Sequence, residues 1–398
     1  VDPVRNPYAP GAGQRPPELA GRDAELKAFD VVLERVSRGR PERSVVLTGL
    51  RGVGKTVLLN ALRSAAVRRG WGTGKLEGRP DQPLRRPLAA ALHLAIRELA
   101  SKHKDEERHV LGVLKAFAQR EPRTSKTGKV ADRWQPGIDV PAVSGRADSG
   151  DIEIDLVELL ADVAGLAADA GSGIAIFIDE MQDLMPDDVS ALCASCHEVS
   201  QQGSPLVVVG AGLPHLPAVL SASKSYSERL FRYARIDRLE REAADAALRR
   251  PARDEDADFT DDALDVMYAS TAGYPYFVQA YGKVAWDVAP ATPITAADVR
   301  VAAPEAESEL AVGFFGSRYE RATPAEREYL RAMAEVADDG ADDAVATGSV
   351  AEALHRNPQS LSPARDALLK KGLVYSGQRG QIAFTVPHFG RYLRQQDI

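Results

Sequence analysis

Gly49-Leu50-Arg51-Gly52-Val53-Gly54-Lys55-Thr56 is the stretch on which the reading of this chain turns. It fits the eight-residue phosphate-loop pattern at every fixed position. Its flanks fit too. Ser44-Val45-Val46-Leu47-Thr48 is a short apolar run bounded by charge and glycine, which predicts a buried parallel strand. A helix is predicted over 55–69, closed by Gly70. Glycines let backbone amides turn inward around a phosphate, and the helix N-terminus adds partial positive charge. Gly49, Leu50, Arg51, Gly52, Val53, Gly54, Lys55, Thr56 and Val57 are therefore the expected contacts to ATP. Lys55 reaches the terminal phosphates and Thr56 ligates Mg²⁺.

A second stretch supports the first. Ile176-Phe177-Ile178-Asp179-Glu180 reads as a buried strand ending in two carboxylates. Such a pair can cap the next helix. Downstream of a phosphate loop the catalytic reading is preferred, with Asp179 holding Mg²⁺ and Glu180 polarising the attacking water. Gln182 is expected either to position water or to be a solvated loop amide. Further strands are predicted at 206–209 and 233–239, and a weaker one at 71–77. Helices are predicted near 23–36, 84–100, 155–170 and 189–201. Alternation of strands and helices up to about residue 240 predicts an α/β fold, a parallel sheet covered on both faces. From 121 to 150 the composition turns to Pro, Gly, Ser, Thr and charge, which reads as a mobile loop.

These residues resemble the additional-strand catalytic-glutamate class of P-loop ATPases. Within it the layout is similar to the AAA+ ATPases, near the origin-recognition-type replication initiators, and to bacterial, largely actinobacterial, ATP-binding proteins related to them. The resemblance spans nearly the whole chain and implies an ATPase. Leu19-Ala20-Gly21-Arg22 looks like the adenine-side motif, which makes Arg22 a nucleotide contact. Ala272-Gly273-Tyr274-Pro275-Tyr276-Phe277 looks like the lid motif, which adds Pro275. Ser227-Glu228-Arg229-Leu230-Phe231 looks like the arginine-finger segment. It implies that Arg229 acts on a neighbour's nucleotide in a homo-oligomer. Gly210-Ala211-Gly212-Leu213-Pro214 stands where the family has a polar γ-phosphate sensor, and Tyr276 stands where its lid has an Arg. The resemblance thus implies nucleotide binding more firmly than rapid turnover.

After residue 240 the pattern is mostly helical, and a lid is expected over 241–316 following an ATPase core over 1–240. From 317 to 398 the order is three helices and a hairpin, the winged-helix pattern. The first helix follows Thr323-Pro324-Ala325-Glu326, the second covers 349–355, and the third starts at Ser362-Pro363. A winged helix sends its third helix into the major groove of double-stranded DNA, and Arg365, Lys370, Lys371 and Arg379 would be the contacts. Residues 320–398 nevertheless hold 10 Lys and Arg against 11 Asp and Glu. That balance admits a winged helix that contacts protein instead.

The 398 residues suggest two to four domains. A net charge of 50 − 57 = −7 argues against a whole-chain electrostatic binder of nucleic acid. No apolar run is long enough to span a membrane. The Pro- and Gly-rich first seventeen residues lack the apolar core of a secretory leader, and there are only two cysteines. A reducing, cytoplasmic setting is expected. Cys193-Ala194-Ser195-Cys196-His197 matches a haem-attachment spacing, but its place in an amphipathic helix favours two small packed thiols.

Overall fold

The computed structural model describes residues 1–11, 13–99, 104–120, 137–337, 344–376, 380–386 and 388–395. The predicted loop is therefore described only from 137 onward, and Arg379 lies outside the described residues. By internal contacts the chain divides into two units, Asp23–Thr48 with Leu58–Arg235, and Val1–Arg22 with Gly49–Val57 and Ile236–Ile398.

The first unit is built on five parallel strands: β1 (Ser44–Thr48), β2 (Gly72–Glu77), β3 (Ile174–Asp179), β4 (Leu206–Gly212) and β5 (Phe231–Arg235). Their order is β2-β3-β4-β1-β5. β3 and β4 are buried at every position, because helices cover both faces and leave no side of the sheet for water. β4 separates β1 from β3. Its register pairs Ile178 with Gly210 and Gly210 with Val46, so Asp179 and Thr48 finish at the same edge of the sheet. Ligands of open parallel sheets bind at that carboxyl edge.

Several boundaries differ from the sequence reading, and one helix is additional to it. β5 covers 231–235 rather than 233–239, since its ladder partner β1 has only five residues and ends opposite Arg235. A helix at Lys104–Gln119 was not predicted. Its first turn is dense in charge, which hides the spacing of the buried Val110, Val113, Leu114 and Phe117.

A buried ion pair ties this region down. The Arg85 guanidinium donates to Asp155 Oδ2 at 2.6 Å, with side-chain exposures of 5% and 0%. The other carboxylate oxygen accepts from the Ser149 amide and hydroxyl at 2.8 and 2.7 Å. Burial pushes the Asp155 carboxyl up, but the Ser149 hydroxyl and Arg85 outweigh it and hold it below its ordinary value. Asp155→Ala strands a buried guanidinium, and an expected loss of about 3–5 kcal/mol should appear in denaturant melts. A carboxylate with a depressed folded pKa stabilises above its unfolded pKa. Wild-type stability should thus fall as pH drops below about 4, and Asp155→Ala should remove part of that dependence.

In the second unit, helices Arg241–Asp254, Asp261–Thr271, Pro275–Val288 and Ala296–Leu310 follow one another. The N-terminal arm is stitched to them. Tyr8 hydroxyl donates to the Leu248 carbonyl at 2.5 Å and Trp286 Nε1 to the Asp2 carbonyl at 2.8 Å. A π-helical turn, Ala311–Gly316, and a short helix, Ser317–Glu320, then lead to the C-terminal region. That region holds helices Pro324–Val336, Thr347–Ala353 and Pro358–Lys370. Strands β6 (Val345–Ala346), β7 (Val374–Tyr375) and β8 (Gln381–Phe384) form an antiparallel sheet in the order β6-β8-β7. Thr323 and Glu326 form the expected capping box. The third helix starts four residues before the predicted Ser362-Pro363. Asn357 caps it, Pro358 takes the first position and Pro363 lies inside.

Candidate nucleotide site

The phosphate loop packs by backbone geometry. Gly52 has φ +84°, and a Cβ there would meet Tyr274 Cε1 at 2.9 Å and Phe314 Cζ at 3.3 Å. A Cβ on Gly49 would stand 2.2 Å from the Ile236 carbonyl oxygen. Any side chain at either position would push the loop out of place. Lys55 is 7% exposed, and its ammonium donates to the Gly49 and Leu50 carbonyls at 2.9 and 2.8 Å. Thr56 and Val57 begin the helix Lys55–Arg68 and are half-buried. Gly13 of the arm approaches the Thr56 methyl, 2.9 Å from where its own Cβ would stand.

Arg22 braces this loop from beneath. Its guanidinium donates to the Val53 carbonyl at 3.2 Å and the Asp237 carbonyl at 2.6 Å. Pro275 takes the first position of the helix Pro275–Val288. Tyr274, immediately before it, donates its hydroxyl to the Arg51 carbonyl at 2.5 Å. Burial, then the nearby Asp237, pushes that phenol far above its ordinary range, so it stays a donor. Phe314 carries Tyr276 stacked on it at 4.6 Å and the Arg318 guanidinium over its ring at 3.9 Å. Burial and the like charges of Arg51 and Arg321 bring Arg318 down to about 10, still a cation at neutral pH. Sequence reading missed Tyr274, Phe314 and Arg318; the aromatic-rich Phe314-Phe315-Gly316-Ser317-Arg318 after the lid was the available signal.

In the sheet unit, Asp179 ends β3 and accepts from the Glu180 amide at 3.0 Å. Glu180 sits at φ +46°, a left-handed conformation that a non-glycine residue adopts only under constraint. Gln182 is not a solvated amide. Its Nε2 donates to Glu180 Oε2 at 2.7 Å, and its Oε1 accepts from the Leu213 amide at 3.1 Å. It thereby links the catalytic-carboxylate candidate to the residue just after β4, where the side chains themselves offer no polar sensor. Arg229 stands exposed on the short helix Ser227–Leu230, with no carboxylate partner among the described residues.

The DNA-contact candidates fare unevenly. Lys371 donates to Glu326 Oε2 at 2.6 Å and to the Arg321 carbonyl at 2.9 Å, so it is engaged internally. Arg365 pairs with its neighbour Asp366 at 3.1 Å. Lys370 is exposed. Cys193 and Cys196 are buried, and burial pushes their thiols up to about 11 and about 12. No cluster of three or more potential metal ligands occurs among the described residues. No helix there is long and apolar enough to cross a membrane.

A five-stranded parallel sheet with one strand inserted between the phosphate-loop strand and the carboxylate strand is a P-loop ATPase fold. Residues 18–209 match the AAA ATPase domain family, and residues 312–393 match a domain of unknown function. No curated protein matches the chain at a significant level. Among solved structures the chain is similar to the Walker-type ATPase PABY2304 of Pyrococcus abyssi, with a TM-score of 0.58 and 15% identity over 96% of this chain and 97% of that one. It is also similar to the RuvB Holliday junction branch migration motor of Thermotoga maritima, with a TM-score of 0.45 and 17% identity over 97% and 100%. The Orc1 protein of Aeropyrum pernix, solved in complex with DNA, has a TM-score of 0.42 and 16% identity over 96% and 94%.

Proposed function

We propose that the chain is an ATP-binding, slowly ATP-hydrolysing switch whose nucleotide state is passed to its C-terminal region. The observation that carries this reading is the packing of Phe314, on the segment leading to that region, against the Gly52 position of the phosphate loop. We assign an ATPase core to 1–240, a lid to 241–316 and a winged helix to 317–398.

In this reading the loop amides and Lys55 hold the phosphates. Lys55 already points its ammonium at carbonyl oxygens of the loop, and phosphate oxygens would replace them as acceptors. The Thr56 hydroxyl and the Asp179 carboxylate are hard oxygen donors that suit Mg²⁺, which keeps most of its shell as water and phosphate oxygen. The ion would neutralise charge on the phosphates. Glu180 orients water and takes its proton. Gln182 holds one oxygen of that carboxylate, which agrees with slow turnover. Arg22 acts by bracing the loop, and Pro275 by starting the helix that follows the adenine-side lid motif. The exposed Arg229 is suited to reach a neighbouring copy.

The output is assigned to double-stranded DNA, through Lys370, Arg365 and Arg379. A second reading is favoured by the pairing of Lys371 with Glu326 and of Arg365 with Asp366, which leaves little free positive charge on the third helix. In it the winged helix contacts protein. Fluorescence anisotropy with duplex DNA, across a salt series and with ATP, ADP or neither, separates the two. Salt-sensitive binding that depends on nucleotide and falls at least about tenfold in Arg365→Glu is expected for DNA output. Absence of binding in every state overturns it in favour of a protein partner.

A further inference from the structure

We propose that His388 is a proton-operated latch. Uncharged, it lets the helix Phe389–Gln395 dock against the helix Pro275–Val288; protonated, it weakens that docking. The inference does not depend on which nucleotide or which output partner the chain takes.

Three observations carry it, all within the second unit. The first is position. The half-buried His388 immediately precedes the helix Phe389–Gln395, and its ring stacks on Phe277 of the helix Pro275–Val288 at 5.8 Å and 29°. Phe389 and Tyr392 of the helix it introduces stack on Phe315, which itself meets Phe277 edge to face at 6.0 Å. Of these rings only the imidazole gains a charge near neutral pH.

The second is backbone. His388 is held at φ +61°, in the left-handed region. Histidine and asparagine enter that region more readily than most side chains, but they stay there only where the surroundings fix them. The His388 carbonyl also accepts from the Tyr392 amide at 3.0 Å, so the same residue closes the first turn of the helix. A change at its ring is therefore passed directly to the helix start.

The third is the polar surroundings. Nε2 is buried and has no hydrogen-bond partner among the described residues. In the imidazolium both ring nitrogens are donors, so a proton makes Nε2 a buried donor with nothing to receive it. The charged groups facing the ring are Arg391 on its own helix, Glu307 on the helix Ala296–Leu310, and Arg238 ahead of the helix Arg241–Asp254. Glu307 is the one anion of the three, and its carboxylate is already shared between the Tyr281 hydroxyl at 3.4 Å and Arg391 at 3.7 Å. The helix Pro275–Val288 and the turn Ala311–Gly316 present the rings of Phe277 and Phe315. Burial, with the two arginines, holds the imidazole below its ordinary value against the pull of Glu307. A histidine so placed leaves its packing intact at higher pH and loosens it as pH falls below the unfolded value of about 6.5.

Hydrogen exchange of the full chain, compared at about pH 8 and about pH 5.5 and corrected for the intrinsic pH dependence of exchange, tests the latch. In wild type the protection of 389–395 should fall at least about threefold on acidification, with the helix Pro358–Lys370 unchanged. His388→Asn accepts the left-handed backbone but does not titrate, so its protection should be the same at both pH values. Glu307→Gln removes the anion and leaves the histidine, so the loss should exceed that of wild type. It also carries the test if thermal unfolding shows that the Asn variant does not fold. A wild-type ratio near one, an undiminished loss in His388→Asn, or a loss in Glu307→Gln no larger than wild type overturns the proposal. So does an NMR titration that places His388 at or above about 6.5, which would mean that Phe277 and Glu307 stabilise the imidazolium.

Discussion

Lys55→Ala should reduce ATP and ADP affinity by at least about 100-fold, beyond calorimetric detection. The residue is 7% exposed and makes charge-assisted contacts of 2.9 and 2.8 Å to two carbonyls of its own loop. Removing it costs twice over. The phosphates lose their only side-chain cation built into the loop pattern beside Arg51, and the Gly49 and Leu50 carbonyls lose a donor that helps hold the loop ready. The sheet unit contains none of these contacts, so far-ultraviolet circular dichroism should be unchanged. Affinity within about threefold of wild type would remove the loop from the site altogether.

Glu180→Gln should leave ATP affinity within about threefold but slow steady-state hydrolysis by about 10²- to 10⁴-fold, the usual contribution of a positioned base. The substitution isolates the chemistry. Glutamine is no more strained than glutamate at φ +46°, and its side-chain oxygen still accepts from Gln182. Only the capacity to take a proton from water is lost. A variant that hydrolyses ATP at the wild-type rate would move the base elsewhere. Gln182→Ala, by freeing the carboxylate, is the useful companion in the same assay.

The parts of the site that chemistry forces into one contiguous stretch were legible in the sequence. A phosphate loop needs its glycines, lysine and threonine in fixed order, and Asp179-Glu180 follow directly on an apolar strand. Both stretches lie beside the strands and helix predicted for them, β1 and the helix Lys55–Arg68 for the first and β3 for the second. What depends on pairing between distant segments was not legible. β5 ends where β1 gives out, which no local pattern in 231–239 records. The helix Lys104–Gln119 hides its apolar face behind a charged first turn. The third C-terminal helix took its start from Asn357-Pro358 because two Ser/Asn-Pro signals compete there, and the first also has the cap. Lys371 looked like a free surface cation, and only the fold brings Glu326 to it. Phe314 belongs to no motif; only the fold stacks it on another helix and brings it to a loop some 260 positions earlier in the chain.

Phe314 and Phe315 are neighbours in sequence and meet edge to face, each also against Phe277, but they stack on different partners. Phe314 stacks on Tyr276, whereas Phe315 stacks on Phe389 and Tyr392 at 5.9 and 5.2 Å. One peptide unit, about 3.8 Å between Cα atoms, is all that separates the two. A connection so short has no slack, and it makes the chain poorly modular. A graft that exchanges the C-terminal region will keep its communication with the loop only if the cut falls before residue 311 and the recipient brings its own pair of rings.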